Sequence, residues 1–157
     1  MRTAVIFYSF SGNTNRVAHL MVEMLKNKGE EVIPIRIRPV KEQTNFALQC
    51  KDAFLGKKPE LYRTMLDLNN FDRVIFGSPV WAFKPVPAIN TYMDKCSSLT
   101  GKTAICFVTY GSGAGKDKCL EKMKQQLEAK GAEVTEMLSF QQAESPKSCR
   151  EKLTKVL

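Results

Sequence analysis

The segment Thr3-Ala4-Val5-Ile6-Phe7-Tyr8-Ser9-Phe10-Ser11-Gly12-Asn13-Thr14 passes from a short apolar run directly into a turn rich in hydroxyls. Behind it, Val17, Met21 and Met24 recur at helical spacing and stop before Gly29, a residue suited to a helix C-cap. A strand, a short polar turn and a helix in that order make the opening of a βα unit. The unbroken apolarity of Ala4 to Tyr8 suits a strand covered on both faces, as in a parallel sheet.

Working outward, the same pattern repeats. Glu31–Ile37, Arg73–Gly77, Thr103–Thr109 and Glu133–Phe140 are short runs rich in Val, Ile and Phe, and with Thr3–Tyr8 they predict five strands. Leu120, Met123 and Leu127 before Gly131 mark a second clear helix. Strictly alternating strands and helices predict an α/β fold, a doubly wound three-layer sandwich with a parallel sheet, because right-handed crossovers place helices on both faces. We expect the strand order 2-1-3-4-5, with Glu31–Ile37 at an edge because its residues alternate in polarity. Arg38–Asn70 is long and weakly periodic, and is expected to hold one irregular helix around Ala47–Leu55.

A chain of 157 residues with 43% hydrophobic content reads as a single domain, 1–157, able to bury a core. No apolar stretch approaches membrane-spanning length, so a soluble, cytoplasmic protein is expected. The five cysteines are odd in number and have no close pair, which spells out neither a zinc ribbon nor a redox dithiol. They read as reduced thiols, and nothing suggests a metal. A formal charge of +8 favours acidic or anionic partners. Lys116, Lys118, Lys122, Lys124 and Lys130 alternate with Asp117, Glu121 and Glu128, however, as on a solvated helix face, and no nucleic-acid patch is expected. His19 lies off the apolar stripe of the first helix and reads as a surface residue.

In an open parallel sheet, ligands bind beyond the carboxyl ends of the strands where the order reverses, so three loops matter. In the first, Ser9, Phe10, Ser11, Gly12, Asn13 and Thr14 precede a helix N-terminus, whose free N–H groups and dipole favour a phosphate. An ordinary turn capped by Ser11 or Asn13 fits the same residues equally well. The second loop, Gly77 to Pro87, contains Ser78, Pro79, Val80, Trp81, Ala82 and Phe83, and places the one tryptophan at a strand end. Aromatic faces there suit a flat ligand, with glycine and proline fixing the loop, and a tryptophan that plugs the core is the alternative. The third, Thr109, Tyr110, Gly111, Ser112, Gly113, Ala114 and Gly115, is glycine-rich before a helix. It is not a nucleotide P-loop, because its glycines sit too close together and Asp117, not Ser or Thr, follows Lys116.

Tyr8-Ser9-Phe10-Ser11-Gly12-Asn13-Thr14, with Ala18 four residues on, resembles the FMN-phosphate signature of the flavodoxin family, and the likeness extends over nearly the whole chain. Many members carry a glycine between the strand's last aromatic residue and the first hydroxyl, which is absent here; the shorter form resembles the reductase-type relatives. The segment Ala88 to Asp94, entered through Pro85 and Pro87, is also similar to those reductases. The resemblance implies a short-chain flavodoxin-like fold and one bound FMN, with Trp81 as first stacking candidate, Phe83 as second, and Tyr110 brought to the same rim, where its loop borders the dimethylbenzene or pyrimidine edge. It implies an electron-transfer protein working with a redox partner, or alternatively an FMN-dependent NAD(P)H oxidoreductase; an apo flavodoxin-like interaction module is the weaker third reading, because the loops retain the aromatic and hydroxyl groups FMN would need. No Asp or Glu occurs in the three loops, so a neutral-to-basic site is expected, with Arg16, Lys84 and Lys116 flanking it and Lys84 the strongest contributor. A basic site fits an acidic partner or anionic NAD(P)H.

Overall fold

The computed structural model describes residues 1–157. In chain order the elements are β1 (Arg2–Phe7), α1 (Asn13–Asn27), β2 (Glu31–Arg36), α2 (Phe46–Phe54), β3 (Arg73–Trp81), β4 (Lys84–Pro85), α3 (Pro87–Lys95), β5 (Thr103–Tyr110), α4 (Lys116–Ala129), β6 (Glu133–Gln141) and α5 (Pro146–Thr154). Five long strands form a parallel sheet in the order β2-β1-β3-β5-β6, which is the expected order once the short β4 is set aside. The direction of winding changes between β1 and β3, so the loops after those strands flank the reversal.

The central strands are covered on both faces. Ala4, Ile6 and Tyr8 point into one core with Val74, Phe76, Ile89 and Tyr92, beneath α3 and α4. Val5 and Phe7 point into the other with Val17, Met21 and Leu25 of α1 and Leu153 of α5. Alternate residues of one strand thus feed opposite layers. The outer strand β2 alternates between buried and exposed residues, as an edge should.

The second loop departs from expectation. Ser78, Pro79, Val80 and Trp81 do not leave the sheet but continue β3, and the chain reverses in a two-residue hairpin that pairs Val80 with Pro85 and Trp81 with Lys84. Ala82 and Phe83 make the turn at φ 47° and 65°, the positive-φ pattern of a type I′ hairpin that glycine and asparagine usually supply. Gly77 does not shape a loop. It lies flat in the sheet under Phe107, whose ring would sit 2.2 Å from an added Cβ.

The long segment between β2 and β3 is a strap. Its two ends pair as an antiparallel bridge at Pro39 and Leu61, with Val40 N–H donating to Glu60 O and Tyr62 N–H to Arg38 O. Between them α2 is capped by Asn45, whose side chain accepts Ala47 and Leu48 N–H, and its residues Gln49 and Asp52 line a cavity with Tyr8 just beyond β1.

Candidate functional site

The loop after β1 is shaped by its own polar groups. Gly12 N–H donates to Ser9 Oγ (3.2 Å) and Asn13 Nδ2 donates to Ser11 Oγ (2.9 Å). Gly12 then takes φ 94°, a left-handed conformation that glycine adopts without strain, and is the N-cap of α1. No side chain caps this helix and no acid lies in its first turn. The capped-turn alternative is therefore not what forms: Ser11 and Asn13 bond to each other and leave the helix's first N–H groups free of side-chain caps. Arg36 supports the loop from β2 by donating to Ser9 O (3.2 Å).

The structure brings all three loops together. Thr14 and Thr109 share a buried hydroxyl–hydroxyl hydrogen bond of 2.8 Å, joining the first loop to the third. Phe10 and Trp81 meet edge to face at 6.3 Å, joining the first to the second. Phe83 lies against Gly115, where an added Cβ would come within 1.7 Å of its ring, joining the second to the third. Phe10 and Phe83 are about half exposed, at 47% and 53%, as expected of rings on a rim rather than in a core.

The residues within this triangle divide by role. Ser78 is fully buried; its hydroxyl accepts Val86 N–H (3.1 Å) and donates to Pro79 O (2.8 Å), so it pins the hairpin to α3. Pro79, Val80 and Ala82 carry the strand and its turn beneath the rim. Trp81 is partly buried, braced edge-on by Tyr8 at 5.6 Å and by Phe10. Across the sheet, Tyr110 packs on Gly113, which takes φ 81°, and Gly111 O accepts from Gln141 Nε2 (3.2 Å).

The charges are arranged differently from the expectation. Lys84 does not face the three loops: its ammonium donates to Phe54 O (2.7 Å) at the end of α2 and lies over the Phe54 ring. Lys116 and Lys118 are the basic residues at the rim, 5.1 Å above the Tyr110 ring and 5.9 Å above the Phe83 ring. Arg16 turns away to Glu144 O (2.8 Å) and Gln142 O (3.2 Å). One carboxylate does approach, from the strap: Glu42 accepts the hydroxyl hydrogen of Tyr8. Burial first, and then that carboxylate, push the Tyr8 phenol well above its usual range and keep it a neutral donor.

A family model described as flavodoxin matches residues 2–146. The chain belongs to the flavodoxin family. A search of curated protein sequences found no match. Among solved structures, this flavodoxin-family chain is similar to a flavoprotein from Lactobacillus acidophilus NCFM, crystallised in complex with FMN. The two are 22% identical, with a TM-score of 0.71 over 88% of this chain and 92% of the other. It is similar also to oxidised flavodoxin 1 from Bacillus cereus, at 19% identity and a TM-score of 0.67 over 99% and 94% of the two chains. The flavodoxin-like sandwich, with β4 as an added hairpin, is thus the fold of this chain.

Among residues the sequence did not single out, Arg36, Glu42 and Gln141 support the loops from β2, the strap and β6. The first and last are polar residues near the carboxyl ends of strands, a position that could have flagged them. Glu42 lies in the weakly periodic strap and carries no such signal.

Proposed function

We propose that this flavodoxin-family chain binds one FMN non-covalently as a single domain, 1–157, and serves as an electron-transfer protein for a redox partner. The observation that carries the reading is the start of α1: a glycine-opened, uncapped helix N-terminus with Ser9, Ser11, Asn13 and Thr14 around it and no acid in its first turn. Such an end suits a terminal phosphate, which accepts N–H and O–H donors and is favoured by the helix dipole. The residues that would hold the rest of the cofactor are Phe10, Trp81 and Phe83 on one side and Thr109, Tyr110, Gly111 and Gly113 on the other, with Ser78, Pro79, Val80 and Ala82 setting the hairpin between them. Aromatic faces fit an isoalloxazine ring.

Bound FMN supplies reversible one- and two-electron chemistry. The protein's own groups orient and tune. Lys116 at the Tyr110 rim favours added negative charge, and the Thr14–Thr109 hydrogen bond fixes the two loops relative to each other. Five cysteines, none in a disulfide, fit a reducing cytoplasmic setting. Cys106 and Cys119 are fully buried, and burial pushes both thiols up to about 12, which suits inert packing groups.

Titrating the apoprotein with FMN tests the reading: the flavin spectrum should shift and the emission of the single tryptophan, Trp81, should quench with one equivalent. An unchanged spectrum at protein well above micromolar would reject it. A second reading, an FMN-dependent NAD(P)H oxidoreductase, is favoured by a cavity that opens against Trp81. Stoichiometric bleaching of the flavin by NADPH, without any added reductase, would select it over the carrier.

A further inference from the structure

The strap covers a cavity of about 290 Å³ that takes Tyr8 from the start of the first loop and Trp81, Val86 and Pro87 from the second, and no residue from Ser9 to Thr14 or from the third loop. Its inner wall is largely apolar, made by Tyr8, Trp81, Val86 and the prolines 39, 59 and 87. Trp81 is therefore a partition, braced by Phe10 of the phosphate-type loop and lining the cavity as well. Pockets that hold drug-sized ligands run from roughly 300 to 1,000 Å³, so this one suits one or two fused rings.

The mouth is polar and unevenly charged. Lys41, Lys57 and Lys58 line it against a single carboxylate, Asp52. Lys57 pairs with Asp52 at 2.9 Å and Lys58 with Asp94 at 2.5 Å. Lys41 makes no ion pair, and the neighbouring Glu42 is committed to the Tyr8 hydroxyl. Gln49 is 99% buried and donates from Nε2 to Gln43 O, fixing the strap's inner edge as a built wall.

We propose that this cavity is a second ligand site, for a planar aromatic anion of one or two rings whose acidic group meets Lys41 while its rings lie along Trp81 and Tyr8. A role for that ligand as electron acceptor rests on the proposed FMN site; its binding does not. The strap is what makes the site, because a β2-to-β3 crossover with a short connection would leave Tyr8 and Trp81 uncovered.

The experiment uses a redox-inert probe, naphthalene-2-sulfonate, added to the FMN-loaded protein and to the apoprotein. The indole N–H resonance of Trp81, the only tryptophan, reports on the shared wall. A saturable shift is expected in both forms, at least tenfold tighter than for uncharged 2-naphthamide. Lys41→Glu, at an exposed residue, should weaken the sulfonate about tenfold with an unchanged circular dichroism spectrum. Ala88→Leu, which fills the cavity, should abolish the shift; Lys41→Glu keeps the test decisive if Ala88→Leu disturbs the core. No saturable shift at millimolar probe, equal affinity for the two naphthalenes, or displacement of the probe by FMN would each overturn the proposal. Probe binding to a protein that takes up no FMN would uphold this site while rejecting the flavin reading.

Discussion

At the start of α5 the backbone is closed, and at the start of α1 it is open, although both helices begin at the same edge of the sheet. Ser145 sits in the extended region (φ −67°, ψ 151°) and its side chain accepts Ser148 N–H. Glu144 beside it accepts from Ser148 Oγ (2.6 Å), Gln141 N–H (3.1 Å) and Lys152. Gly12, at φ 94°, holds the same N-cap position in α1 with no side chain to offer, and no acid follows it. The two ends are tied together by Arg16 of α1, which donates to Glu144 O. An extended N-cap residue aims its side chain back at the helix's free N–H groups; a left-handed glycine leaves them for another acceptor. Of these two ends, the one beside the outer strand β6 is closed and the one at the strand-order reversal is open.

The largest effect should come from giving α1 what α5 has. Ser11→Asp places a carboxylate beside the open N-terminus, and at an effective dielectric near 20 two unit charges about 5 Å apart repel by about 3 kcal/mol. FMN affinity should fall about a hundredfold, while the apoprotein's melting temperature stays level or rises, because an acid near a helix N-terminus stabilises it by about 0.3 to 1 kcal/mol. A parallel loss of fold and of FMN binding would break the comparison.

Next is Gly115→Ala at the start of α4, the other left-handed, uncapped helix end. Its Cβ would collide with Phe83, and alanine is strained at φ 76°, so a loss of about 2 kcal/mol is expected in urea unfolding. Adding Phe83→Ala should recover part of that loss, since it removes the collision but not the strain. Ser145→Ala should cost about 1 kcal/mol of stability and leave FMN affinity unchanged, which separates a cap from a binding group.

The smallest effect is on pH dependence. Burial pushes the Glu144 carboxyl up, but hydrogen bonds from Lys152, Ser148 and Gln141 N–H outweigh it and hold the group below the usual carboxylate range. A depressed folded-state value contributes stability that is present above the unfolded value, near pH 4, and is lost as pH falls through the folded one. Glu144→Gln should flatten that acid limb in pH-dependent denaturation while leaving FMN binding at neutral pH intact.

The fold was legible because its signals are local and periodic. Ala4–Tyr8 announced a doubly buried strand by continuous apolarity, and β2 announced an edge by alternation. The phosphate-type loop was legible in residue type but not in state, since Ser11 and Asn13 could have capped α1. Only the coordinates show them bonded to each other, with Gly12 as N-cap.

What the sequence by itself determined is the order of strands and helices, the two faces of the sheet and the three loops at its carboxyl edge, all set by spacing along the chain. Tertiary structure alone decided where side chains without a periodic signal end up. Ser78–Trp81 looked like loop because the apolar run ends at Gly77, yet pairing with Lys84–Pro85 extends the strand. Ala82 and Phe83 carry no turn signal; their positive φ accompanies the packing of Phe83 on Gly115, more than thirty residues away in sequence. Lys84 was expected at the site and instead reaches the end of α2, because the hairpin turns its ammonium toward Phe54 O. The cavity under the strap has the same origin. Its walls come from Tyr8 just after β1, the strap, Trp81 at the end of β3 and the start of α3, so no window of sequence contains it.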